Sequence, residues 1–99
     1  MVFKVLIVKS ADLEIEEAFA YYENIRKGLG EKFILDYQDH LKTLYKFPLF
    51  EEKYNVVRTL PLKKFPYTIH FTVDELEKIV SILAVTCNCQ DPNTTRIKL

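Results

Sequence analysis

Glycine occurs at only two positions in this chain, 28 and 30, and both stand between stretches of helical periodicity. Upstream, Ala11, Ile15, Ala18, Phe19, Tyr22 and Ile25 recur at the spacing that lines one helix face. Downstream, Phe33, Ile34, Tyr37, Leu41, Leu44 and Tyr45 do the same. Ser10 is placed to cap the first helix, and Asp12, Glu14, Glu16 and Glu17 load the positive end of its dipole. Arg26 and Lys27 sit in the last turn, and Gly28 serves as the C-cap. The first helix is therefore predicted over 11–27. The second begins near Gly30 and ends at Phe47-Pro48, because the residue before a proline is pushed out of the α region. Two amphipathic helices joined by two or three residues fold back as an antiparallel hairpin.

The remaining sequence supplies strands. Residues 2–9 are β-branched and aromatic, with Phe3, Val5 and Ile7 sharing a face. A loop over 49–53 leads to a strand over 54–60, stopped by Pro61. Residues 66–73 alternate, with Tyr67, Ile69, Phe71 and Val73 on one face and Thr68, His70 and Thr72 on the other. A hairpin loop over 74–77 precedes a strand from Lys78 to Cys87. That strand is apolar on both faces (Ile79, Leu83 and Val85; Val80, Ile82 and Ala84) and so belongs in the middle of a sheet. Asp91-Pro92-Asn93 is a turn in the tail. The expected fold class is α+β: an N-terminal strand, a helical hairpin, then a three-stranded antiparallel meander, all in one small sheet. The hairpin covers one face, and the half-polar face with Thr68, His70 and Thr72 is left to meet a partner.

Ninety-nine residues suffice for one domain spanning 1–99. Fourteen Lys and Arg balance fourteen Asp and Glu, which argues against bulk attraction to nucleic acid, including sequence-specific binding by this chain alone. No apolar run approaches the roughly 20 residues of a membrane span, and no signal-peptide cleavage pattern follows Met1, so a cytoplasmic location is expected. Cys87 and Cys89 are too few for a zinc site and close a strained ring if joined, so two reduced thiols, no metal and no cofactor are expected.

Four local patterns, in order along almost the whole chain, resemble the ParE branch of the RelE/ParE toxin superfamily. They are Ser10 to Ala18 followed by Tyr21-Tyr22-Glu23; Gly30-Glu31-Lys32-Phe33 with Leu41, Leu44 and Phe47-Pro48; Val57-Arg58 with Phe65-Pro66-Tyr67 and Val73-Asp74; and Ile82 to Val85 running to Asp91-Pro92. The resemblance implies a bacterial type II toxin–antitoxin (plasmid stabilisation) toxin, neutralised by a cognate antitoxin. ParE-like members are described as DNA gyrase inhibitors that act by binding, and RelE-like members as ribosome-dependent mRNA endonucleases.

A RelE-like nuclease needs cations to stabilise phosphate charge and a proton-transfer group. Arginine occurs only at 26, 58 and 96, and Cys87-Asn88-Cys89-Gln90 stands where relatives are basic. That departure favours the ParE-like reading, in which the chain is no enzyme, over the nuclease. It also leaves open a non-toxic relative that only binds an antitoxin. If the chain were RelE-like, Arg58, Lys64 and His70 are the candidate catalytic residues. The candidate partner-binding residues are Tyr21, Arg58, Lys63, Lys64, Tyr67 and Arg96. Each has a plainer reading beside it. Arg58 can pair with Glu51 or Glu52, His70 can face solvent, Lys63 and Lys64 can keep a turn soluble, and Tyr67 can serve packing.

Overall fold

The computed structural model describes residues 2–48, 52–54 and 56–87. The element order is β1 (Lys4–Ile7), α1 (Lys9–Ile25), α2 (Leu29–Lys46), β2 (Glu52–Tyr54), β3 (Val57–Pro61), β4 (Tyr67–Asp74) and β5 (Ile79–Cys87). The strands form one sheet in the order β1-β5-β4-β3-β2. The β2–β3, β3–β4 and β4–β5 pairs are antiparallel, and β1 joins β5 in parallel. This is the expected α+β arrangement, with β5 in the interior of the sheet as its two apolar faces require.

Three local expectations change. The first helix starts at Lys9, and Val8, with no side-chain capping bond, stands at its N-cap in place of Ser10. The cause is the strand before it: the Val8 N–H still donates to Ile82 O of β5 at 3.1 Å, so the chain passes from sheet pairing straight into the helix. At its other end α1 stops at Ile25, leaving Arg26 extended and Gly28 left-handed at φ 90°. The segment 52–54, expected in part as loop, forms β2 against β3, so the predicted 54–60 strand is two short strands. The expected turn at 91–93 lies outside the described residues.

The hairpin packs on one sheet face. Ala11, Ile15 and Ala18 of α1 and Phe33, Tyr37 and Leu44 of α2 meet Ile69, Phe71, Val80, Ile82 and Val85 of the sheet. Strict alternation in β5 would put Val85 opposite Ile82. A bulge restores both to the core: Ile69 pairs with Val85 and Phe71 with Ile82, and Leu83 is skipped. The opposite face carries Thr59, Thr68, His70 and Thr72.

Glu23 closes the hairpin. Its carboxylate accepts the N–H of Gly28 and the N–H of Gly30, each at 3.0 Å, satisfying orphan donors at the start of α2.

Tyr37 is 5% exposed, and its hydroxyl is buried with no hydrogen-bond partner among the described residues. Burial first, and then the Asp12 carboxylate, push its pKa up to about 12. Below pH 10 both states keep the proton. Above it the unfolded chain releases the proton while the folded chain holds it until about pH 12, so stability falls with rising pH across that window. Tyr37→Phe is expected to remove this contribution, worth about 2–3 kcal/mol at the top of the window. At neutral pH it is expected to stabilise by about 1 kcal/mol, since an unsatisfied hydroxyl is deleted. Urea melts at pH 7 and pH 11 check both; a loss of stability at pH 7 would contradict the assignment.

Candidate partner-binding site

The candidate residues separate into three places. Tyr21 and Tyr67 line one groove of about 580 Å³, together with Glu14, Glu17, Ala18, Val85, Thr86 and Cys87. Lys63 and Lys64 are exposed in the β3–β4 turn, on another side of the hairpin. Arg58 and His70 lie on the sheet but on opposite faces. Arg58 pairs with Phe71, whose side chain is in the core, whereas His70 pairs with Thr59 on the open face. Arg58, Lys64 and His70 are therefore not gathered around one point. Arg96 lies outside the described residues.

The tyrosine groove is built by an aromatic cluster. Tyr22 of α1 lies 5.6 Å from the Phe33 ring of α2, 4.9 Å from Phe65 and 6.1 Å from Tyr67 of β4. Phe33 lies 5.2 Å from Tyr67, and exposed Tyr21 stands edge-on to Tyr22 at 5.1 Å. The Tyr22 hydroxyl donates to that of Tyr67. Burial leads the upward pKa shift of both phenols, which therefore stay neutral and available for hydrogen bonding at physiological pH. Tyr67 thus serves packing and groove lining together.

The groove follows the end of β5. β1 pairs only with Ile79–Ile82, so β5 runs on past its parallel neighbour. There the Glu14 carboxylate accepts the Val85 N–H at 2.7 Å. Its place near the start of α1 predicts a dipole role for Glu14, but its carboxylate meets a strand 71 residues away; nothing in local spacing signals that contact. Glu14→Ala leaves this N–H without its charged acceptor and is expected to cost about 2 kcal/mol in a urea melt. Glu14→Gln, which keeps an acceptor oxygen, is expected to recover at least half of that. Equal losses in the two variants would contradict the assignment.

His70 Nε2 lies 2.9 Å from Thr86 Oγ1. Burial lowers its pKa and the Glu14 charge partly opposes that, so the imidazole is neutral at physiological pH. Cys87, expected as a reduced thiol, is disulfide-bonded, with its partner outside the described residues. Among the described residues no helix is long and apolar enough to cross a membrane.

This sheet, capped on one face by a helical hairpin, superposes on solved structures. A chain of the chromosomal ParDE TA system from P. aeruginosa superposes with a TM-score of 0.76 at 19% identity, over 86% of this chain and 95% of that one. A chain of the archaeal RelE–RelB complex from Pyrococcus horikoshii OT3 gives 0.55 at 13% identity, over 92% and 100%. This chain has the RelE/ParE toxin fold. No protein-family model and no curated protein matches its sequence. The RelE/ParE fold expected from the four local patterns is thus reached from backbone geometry, at an identity where sequence comparison has little to hold.

Proposed function

We propose that this chain is the toxin of a type II toxin–antitoxin pair of the ParE kind, acting on DNA gyrase by binding and neutralised by a cognate antitoxin. The observation that carries the reading is the 0.76 superposition on the ParDE chain across nearly the whole of both chains. The weaker fit to the RelE–RelB chain points the same way. So does the site: Arg58 and His70 occupy opposite sheet faces, whereas a phosphoryl-transfer site needs its cation and its proton-transfer group on the same reacting atoms. The tyrosine groove is the natural seat for the antitoxin. It offers two aromatic rings, which are favoured anchors at protein interfaces, and two carboxylates beside the end of β5.

A gyrase supercoiling assay with the purified chain tests the target. Dose-dependent loss of supercoiling, reversed by the antitoxin, is expected. Untouched gyrase at saturating dose, together with messages cleaved in primer extension and protected by Arg58→Ala, would overturn the binding mechanism in favour of the endonuclease.

A further inference from the structure

A second groove, of about 920 Å³, runs along the outer side of α2 and is unlike the rest of the molecule in charge. Arg26, Lys32, Lys42, Lys63 and Lys64 line it against two carboxylates, Asp36 and Asp39, in a chain whose formal net charge is zero. The excess positive charge is thus local, and a compensating negative excess lies elsewhere.

The fold builds this groove from two separate elements. Lys32, Leu35, Asp39 and Lys42 follow one another at three- and four-residue steps, so they form one stripe of α2. Asp36, only 4% exposed at its side chain, accepts the Lys64 N–H at 2.9 Å and lies 3.5 Å from His40 Nδ1. That bond spans 28 residues and pins the Lys63–Lys64 turn beside the α2 stripe. The buried Asp36 carboxylate is therefore engaged as a strut, and among the described lining residues Asp39 alone opposes the five cations in the open groove. Arg26 joins them because the left-handed Gly28 returns the chain immediately into α2.

The floor decides what kind of anion fits. Leu35 is 60% exposed and stands between Lys32 and Lys42. A phosphate backbone has nothing to bury there. A nucleic-acid strand would need aromatic faces for its bases. The groove's one aromatic, Phe65, is already packed against Tyr22 at 4.9 Å and Phe33 at 5.5 Å. Carboxylates flanking an aliphatic side chain match both the rim and the floor. From Lys32 to Lys42 the helix rises about 15 Å, the length of about five residues of extended peptide.

We propose that this groove docks a short acidic, leucine-containing segment of a partner protein, with its carboxylates on the Lys32, Lys42, Lys63 and Lys64 rim and its aliphatic side chain on Leu35. This goes beyond the toxin reading and does not depend on it: a chain that leaves gyrase untouched would still carry the groove.

Fluorescence anisotropy on the full chain tests it with three labelled probes: a glutamate–leucine hexapeptide, an all-glutamate hexapeptide and an oligothymidylate. The glutamate–leucine peptide is expected to bind tightest, and added salt should weaken it. The double variant Lys63→Glu/Lys64→Glu should weaken it at least tenfold, and Leu35→Ala several-fold. Because the turn variant bears on an element held by Asp36, Lys32→Glu/Lys42→Glu on the exposed side of α2 repeats the test with little demand on the fold. Absence of binding by the glutamate–leucine peptide would overturn the proposal. So would equal or tighter binding of either other probe, or affinity unchanged in the Lys32→Glu/Lys42→Glu variant.

Discussion

Phe33→Ala is expected to lower the unfolding free energy by about 3–5 kcal/mol, a large part of the stability available to a domain of this size. Phe33 is fully buried and touches three rings from separate elements: Tyr22 from α1, Phe65 from the β3–β4 turn and Tyr67, which lines the tyrosine groove, from β4. Its removal costs the transfer free energy of a buried phenyl group and leaves a cavity that three inward-facing rings fill poorly. Part of the loss comes from aromatic contacts, each worth about 0.5–1.5 kcal/mol beyond area. The same cluster supports Tyr67, so binding at the groove should weaken with stability. Urea denaturation followed by circular dichroism measures the first effect. A loss below about 1 kcal/mol would mean that the cluster is not the joint between hairpin and sheet.

Gly30→Ala is expected to destabilise by about 3 kcal/mol even though alanine is the better helix former by about 1 kcal/mol. A Cβ at this position would lie 2.6 Å from Phe19 O, 2.9 Å from Phe19 Cδ1 and 3.0 Å from Glu23 Oε1. The first of these is α1 backbone, so the two helices must part. Parting them also strains the bonds from the Gly28 and Gly30 N–H groups to Glu23. Gly28→Ala provides the contrast. Its Cβ meets nothing within 4 Å, and the cost comes from the left-handed φ of 90°, about 1 kcal/mol. If Gly30→Ala were neutral, close helix approach would not be what requires glycine there.

Much of the fold is legible in the chain because its periodicities are clean. The alternation over 67–73 places Ile69 and Phe71 in the core and Thr68, His70 and Thr72 on the other face, and the helical stripes identify Phe33, Tyr37 and Leu44. What escapes is whatever depends on partners distant in sequence. The bulge at Leu83 is set by the register against β4, which no window of β5 reveals. The start of α1 is moved by the sheet bond of Val8 to Ile82. Of the candidate residues, Tyr21 and Tyr67 meet in one groove and Lys63 and Lys64 in another. Glu14 is expected from sequence only to load a helix dipole, and no local pattern assigns a contact to Glu23 or Asp36. Each is identified only by the backbone N–H groups it accepts from another element.

Action as a binding toxin of the ParE kind is tested by inducing the chain alone in a bacterium that carries a DNA-damage reporter and counting colonies. Loss of colonies with a rise in the reporter is expected, both prevented by co-expression of the antitoxin. Loss of colonies with a silent reporter would contradict gyrase as the target, and undiminished colonies would contradict toxicity itself.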